Sequence, residues 1–226
     1  MQNIKTHPFV KNQIKSKQRV ADHGEVFTPD WIVNDMLDLV KQETERIDSR
    51  FLEPACGNGN FLVEILRRKL TVVNQRYGKN QIEYERYAVI AISSIYGIDL
   101  LQDNVEEARK RLYDIFDERY TKKFKSNCKE DCKKSVAFIL QRNILRGDAL
   151  TLLSDKNRPI VFSEWSTVNG SMIKRRDFTL DNLLKAEASK VPGGLFEEFY
   201  DSDPAFLPKP IKEYPLTHYL KLAEHD

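Results

Sequence analysis

Arg50-Phe51-Leu52-Glu53 reads as a short strand, and Pro54 ends it. Ala55-Cys56-Gly57-Asn58-Gly59-Asn60 then makes a loop of small residues, after which Phe61, Leu62, Ile65, Leu66 and Leu70 recur at helical spacing. A strand that runs through a glycine-bearing loop straight into a helix constrains the fold more than any other feature of this sequence. Such a unit requires a second strand to lie parallel to the first, with the helix packed across both. Gly57 and Gly59 keep the loop free of side chains, so a ligand can approach the backbone where the first N–H groups of the helix lie open to a negative group.

The rest of the first two thirds repeats the pattern. Thr28-Pro29-Asp30 predicts a helix start, with a hydroxyl cap, proline in the first helical position and an acid in the first turn, followed by Ile32, Met36, Leu39 and Val40 as an apolar face. Gly78-Lys79-Asn80 closes the helix after the glycine loop. Tyr84 to Ile95 reads as helix, Tyr96-Gly97-Ile98-Asp99 as a second strand, and Val105, Ala108, Leu112 and Phe116 as a further amphipathic helix. A helix around Val136 to Leu140 and a strand around Asn143 to Leu145 lead to Gly147-Asp148. The expectation is an α/β fold with a mostly parallel sheet and helices on both faces.

Beyond Arg158 the character changes. Ile160-Val161-Phe162 reads as a buried strand, Val168-Asn169-Gly170-Ser171 as a hairpin turn, and Thr179 to Lys185 as a short capped helix. Pro204, Pro208, Pro210 and Pro215 predict an irregular tail up to Leu222. The expected organisation is a basic arm over residues 1–23, a ligand-binding domain over 24–165, and a hairpin with irregular extension over 166–226 packed on that domain.

At 226 residues, with 41% hydrophobic and 31% charged residues, the chain fits one core with appendages. No apolar run is long enough for a membrane span, and the start lacks the apolar stretch of a secretory signal, so a cytoplasmic protein without membrane contact is expected. Cys56, Cys128 and Cys132 read as thiols, and the Cys128/Cys132 spacing lacks the partners of a zinc site, so no metal is expected. The net charge is only +2, but the positive charge is clustered. Lys5, Lys11, Lys15, Lys17 and Arg19 precede any acid. Arg119, Lys122, Lys123, Lys125, Lys129, Lys133 and Lys134 outnumber Glu130 and Asp131, and Lys174-Arg175-Arg176 forms a third group, with Tyr120, Phe124 and Phe178 interleaved. Such surfaces suit a phosphate backbone, although a lysine-rich loop can equally be a solvated surface.

A dinucleotide fingerprint would place a third glycine at position 62, where the residue is Leu62. In its place stand acids at three successive strand ends, Glu53, Asp99 and Asp148, facing the crevice in which open α/β sheets hold ligands. With Gly24-Glu25-Val26-Phe27-Thr28-Pro29, Glu53-Pro54-Ala55-Cys56-Gly57-Asn58-Gly59-Asn60-Phe61, Gly97-Ile98-Asp99 and Gly147-Asp148-Ala149 in this order, the chain resembles the S-adenosylmethionine-dependent DNA methyltransferases that act on an exocyclic amino group, in particular the adenine-N6 enzymes of restriction-modification systems. The resemblance implies a Rossmann-like methyltransferase fold and a cofactor site at Phe27, Thr28, Pro29, Glu53, Ala55, Gly57, Gly59, Phe61, Asp99, Leu100, Asp148 and Ala149. By the same resemblance, Glu53 lies near the methionine amino group, Asp99 holds the ribose hydroxyls and Asp148 accepts from the adenine amino group. It also implies DNA as a partner and a specificity or restriction subunit as a possible companion. Ionised carboxylates are natural acceptors for these cationic and donor groups.

The Asn/Asp/Ser-Pro-Pro-aromatic signature of that family, which accepts the target amino group and stacks the flipped base, is absent. Ser163-Glu164-Trp165 stands after the corresponding strand, Pro159 to Phe162. These three residues are the candidate catalytic set; the other reading packs Trp165 inside the hairpin. Function therefore divides between an amino-methylating enzyme, a catalytically silent cofactor- and DNA-binding subunit, and a methyltransferase acting on a non-DNA acceptor.

Overall fold

A computed structural model describes residues 13–188 and 208–224 of the chain. It begins with α1 (Lys17–His23), capped by Ser16, whose hydroxyl accepts from the Arg19 N–H, and closed by Gly24. Helix α2 (Asp30–Asp38) starts one residue later than expected: Pro29 is the flanking residue, and no side chain caps the helix. Its buried residues are Val33 and Leu37, while Met36 and Leu39 are 50% and 86% exposed. The expected apolar face was thus displaced by one residue, an ambiguity that the adjacent apolar pair Ile32-Val33 leaves open. The short α3 (Lys41–Thr44) leads into β1 (Phe51–Glu53).

The glycine loop follows, then α4 (Asn60–Tyr77) and α5 (Gln81–Ser93), the latter capped by Asn80, whose Oδ1 accepts from the N–H groups of Ile82 and Glu83. Next come β2 (Ile95–Asp99), α6 (Gln102–Phe124), α7 (Glu130–Asn143), β3 (Ile144–Asp148) and β4 (Leu153–Ser154). Strands β1, β2 and β3 are parallel, with Glu53 beside Gly97 and Asp99 beside Arg146, and β4 joins β3 antiparallel. All three parallel strands therefore end on the same edge.

The two faces of this sheet are unlike. Ile95 and Ile144 pack with the buried residues of α4 to α7, among them Leu62, Leu66, Ile92, Val105, Leu112 and Ile139. The alternate residues Tyr96 and Ile98 pack with Ile160, Phe162 and Leu180. Helices were expected on both faces; four share one face, and the other is covered by a ribbon base and a single helix.

That ribbon is β5 (Val161–Val168) and β6 (Met172–Thr179), joined through Asn169 and Gly170 at φ 45° and 71°. These are the left-handed values that an Asn-Gly turn favours. The run Ile160 to Phe162 is not a further strand of the parallel sheet, because β5 is hydrogen-bonded to β6 alone. Helix α8 (Leu180–Ala188) extends past Lys185, with the Thr179 hydroxyl accepting from Asn182 N–H. The described part of the proline-bearing tail is not wholly irregular: β7 (Lys212–Glu213) and β8 (Thr217–His218) both pair with β6. Pro204 lies outside the described residues.

Candidate functional site

Strand ends and loops meet in one cavity of about 480 Å³ at the C-terminal edge of the parallel strands. Every expected ligand-binding residue except Pro29 and Gly59 borders it: Phe27, Thr28, Glu53, Ala55, Gly57, Phe61, Asp99, Leu100, Asp148 and Ala149. Gly59 instead precedes α4, and Pro29 precedes α2. Glycine is favoured at position 57 on two grounds. Its φ is 52°, and a Cβ there would meet the Phe27 ring at 3.0 Å, so the ring lies directly over the loop backbone.

Asp99 organises the floor. Its Oδ2 accepts from Gly57 N–H at 2.9 Å, and its Oδ1 accepts from Leu101 N–H at 2.9 Å and from Asn104 Nδ2 at 3.1 Å. A carboxylate has about four acceptor sites, so these bonds leave one of them, on Oδ2, for a ligand hydroxyl. Asp148 Oδ1 accepts from Leu150 N–H at 2.8 Å, which shapes the turn after β3. Glu53 is half-buried, and desolvation pushes its carboxyl above the usual range against the opposing N–H of Ala55. Among the described residues it has no cationic partner. Cys56 is a free, buried thiol whose ionisation is pushed up by desolvation, so it is not poised as a nucleophile.

The roof, Gly24 to Thr28, is clamped from outside the expected site. Arg19 donates from Nε and one Nη to the two carboxylate oxygens of Glu25, each at 2.7 Å, and from its other Nη to Asp103 at 2.6 Å. Asn104 donates to both Glu25 Oε1 (2.7 Å) and Asp99 Oδ1, joining roof to floor. Burial raises the Glu25 carboxyl, but the hydrogen bonds from Arg19 and Asn104 outweigh it and hold the group below its ordinary value. Asp103, beside Arg19 and Lys15, is held at about 2. Sequence reading missed Glu25 as a clamp and missed Asn104; the only available signal was an amide in the first turn of the helix after Asp99.

The candidate catalytic residues lie elsewhere. Ser163 Oγ donates to Asp177 Oδ1 at 2.7 Å and accepts from Arg175 Nε at 3.0 Å, and Glu164 pairs with Arg50 (2.6 Å) and Arg176 (2.8 Å). Trp165 is 8% exposed, donates from Nε1 to Asn143 Oδ1 at 3.0 Å and meets the Phe138 ring edge-on at 6.1 Å. None of the three borders the cavity. The physical reason is that β5 pairs with β6 and not with the parallel sheet, which carries Ser163 to Trp165 into the ribbon.

Much of the clustered positive charge is also neutralised inside the fold. Lys15 pairs with Asp103 and Glu107, Lys174 with Glu213, and Arg175 with Asp177. Lys5 and Lys11 lie outside the described residues. No helix among those residues is long and apolar enough to cross a membrane.

Three parallel strands thus each deliver an acid to one glycine-floored cavity, at the edge where open α/β sheets hold ligands. The family model of the MmeI DNA-methyltransferase domain matches residues 33–160, more than half of the chain. The chain belongs to that family, one of restriction-modification adenine methyltransferases. The match spans β1 to β4 and ends before Ser163. No curated protein and no solved structure matches the chain.

Proposed function

We propose that the crevice binds S-adenosylmethionine and that the domain, with its strands in the Rossmann-like methyltransferase arrangement, serves DNA methylation at adenine N6. The observation that carries this reading is the convergence of Glu53, Asp99 and Asp148 on one cavity whose floor leaves little room for a side chain at Gly57. The residues present suit the group. A half-buried carboxylate without a cation, Glu53, fits an ammonium. The free acceptor site of Asp99 fits a ribose hydroxyl, and Asp148 fits an exocyclic amine. Asn58 Oδ1, in a residue bordering the cavity, is buried without a hydrogen-bond partner.

When bound, the cofactor supplies a methyl group on a sulfonium, which an amino nitrogen attacks while the sulfur leaves as a neutral thioether. The chain's own part is to bind and orient. Asp99, fixed by Gly57, Leu101 and Asn104, needs no reorganisation to accept a hydroxyl, and the clamped Phe27 closes the loop side against water. One specific observation favours a second reading, in which the domain is a catalytically silent cofactor-binding subunit: Ser163, Glu164 and Trp165 are all committed to partners within the fold, away from the cavity.

Incubation with methyl-labelled cofactor and mixed-sequence duplex DNA, followed by digestion to nucleosides, tests the proposal. Label in N6-methyladenine is the expected outcome. Cofactor binding without transfer selects the silent-subunit reading, and label only in protein or RNA added to the mixture overturns the assignment to DNA.

A further inference from the structure

The strongest uncommitted feature lies away from the crevice. On the outer side of α4, Glu64 and Arg68 share one strip of the surface, with Arg67 and Arg76 on its two flanks. With Glu45 and with Arg119 of α6 they line an open concavity of about 460 Å³. The crevice sits at the start of α4, whereas Arg76 lies near its end, roughly 24 Å of helical rise away.

Four guanidinium groups meet three acids here, Glu45, Glu64 and Asp38, and the acids do not reach all of them. Arg68 is held by Asp38 at 2.8 Å and Glu64 at 3.2 Å. Among the described residues Arg67 has only Glu64, at 3.7 Å. Arg119 donates to the Arg67 carbonyl and the Thr71 hydroxyl, both at 3.1 Å, neutral acceptors that leave its charge uncancelled. Arg76 has no carboxylate partner among the described residues. The band continues through Lys123, which lies against Gly78 and over the Tyr84 and Phe124 rings, to exposed Lys122 and Lys125. Lys129, Lys133 and Lys134 of the same basic segment are instead paired with Glu85, Asp117 and Asp131. Packing of α6 on α4 thus joins the unspent part of a sequence cluster to arginines that the sequence keeps far from it.

We propose that this band takes phosphate groups of duplex DNA, as a contact separate from the cofactor crevice. Guanidinium is the side chain suited to phosphate, offering several donors in a fixed plane. Arg67 and Arg76 project from opposite flanks of the exposed side of α4 and are about 13–14 Å apart along its axis, so the two side chains can take separate phosphates. The inference rests on the reading of the protein as one that acts on DNA.

The test is anisotropy of a labelled mixed-sequence duplex across a salt series, with wild type and Arg67→Gln/Arg76→Gln, two side chains that make no hydrogen bond shown to hold the fold. The slope of log K on log salt should flatten by about 2 in the variant, near 0.9 per lost contact, with cofactor affinity by calorimetry unchanged. Equal slopes for the two proteins overturn the proposal. Cofactor binding by a wild type that ignores DNA even at low salt overturns it too, while leaving the crevice assignment standing. Joint loss of DNA and cofactor binding in the variant also counts against it, since the effect is then global. Displacement of polyglutamate, but not DNA, by the substitutions would assign the face to an acidic protein instead.

Discussion

Trp165→Ala is expected to lower the free energy of unfolding by about 3–5 kcal/mol while leaving cofactor affinity unchanged. The indole fills the contact between the ribbon and α7, edge-on to Phe138, with the Arg175 guanidinium 5.6 Å from its ring centre. Its N–H also completes Asn143, a fully buried amide whose Nδ2 donates to the carbonyls of Ser93 and Ile95, each at 3.1 Å. Truncation therefore opens a cavity and orphans Asn143 Oδ1 in the same place, and both losses fall on the junction that docks β5 onto the helical layer. Urea unfolding monitored by circular dichroism measures the effect. A variant as stable as wild type that has lost methyl transfer would place the ring at an acceptor site and refute the structural role.

Glu85→Ala should cost a comparable amount, about 3–5 kcal/mol, because it removes the acceptor at the centre of a buried polar network. The Glu85 carboxylate accepts from Gln81 Nε2 (2.8 Å), Tyr120 OH (2.5 Å), Lys129 Nζ (2.8 Å) and Tyr219 OH (2.7 Å). Lys129 is 38% exposed and can rehydrate, but the two tyrosine hydroxyls belong to residues that are 0% and 1% exposed and cannot. Burial pushes the Glu85 carboxyl up, yet these four donors prevail and hold it below its ordinary value. A carboxyl depressed in the folded state contributes stability above its unfolded pKa and loses it as pH falls through the folded one. Wild type should therefore weaken on acidification below the ordinary glutamate range by more than Glu85→Ala does. Parallel pH dependences for the two proteins would show that the carboxylate carries no such stabilisation.

How much of this was legible in the sequence depended on whether the cause was local. The helix with Val105, Ala108, Leu112 and Phe116 was readable because one period placed all four inward, and each is fully buried. The acids at the strand ends were readable because a strand–loop–helix unit fixes where its loop must lie. Lys69 was not: it sits between Leu66 and Leu70 on the buried face of α4, and its acceptors, the Ile47 and Ser49 carbonyls and the Ser94 hydroxyl, come from other segments. Burial lowers its ammonium to about 7, a property that no local pattern announces. Glu85 and its tyrosines are a second case of long-range satisfaction. The placement of Ser163 to Trp165 was equally hidden, because hydrophobicity marks β5 as a buried strand but does not say which neighbour it pairs with.

The central claim is that the crevice is a cofactor site organised by Asp99, and isothermal calorimetry of S-adenosylmethionine into wild type and Asp99→Ala tests it most directly. Wild type should bind, and the variant should bind more weakly by about 2–4 kcal/mol, since the substitution removes an acceptor for a ribose hydroxyl and frees the Gly57 and Asn104 donors that shape the floor. Equal affinity in the two proteins, or no binding by wild type, would contradict the account.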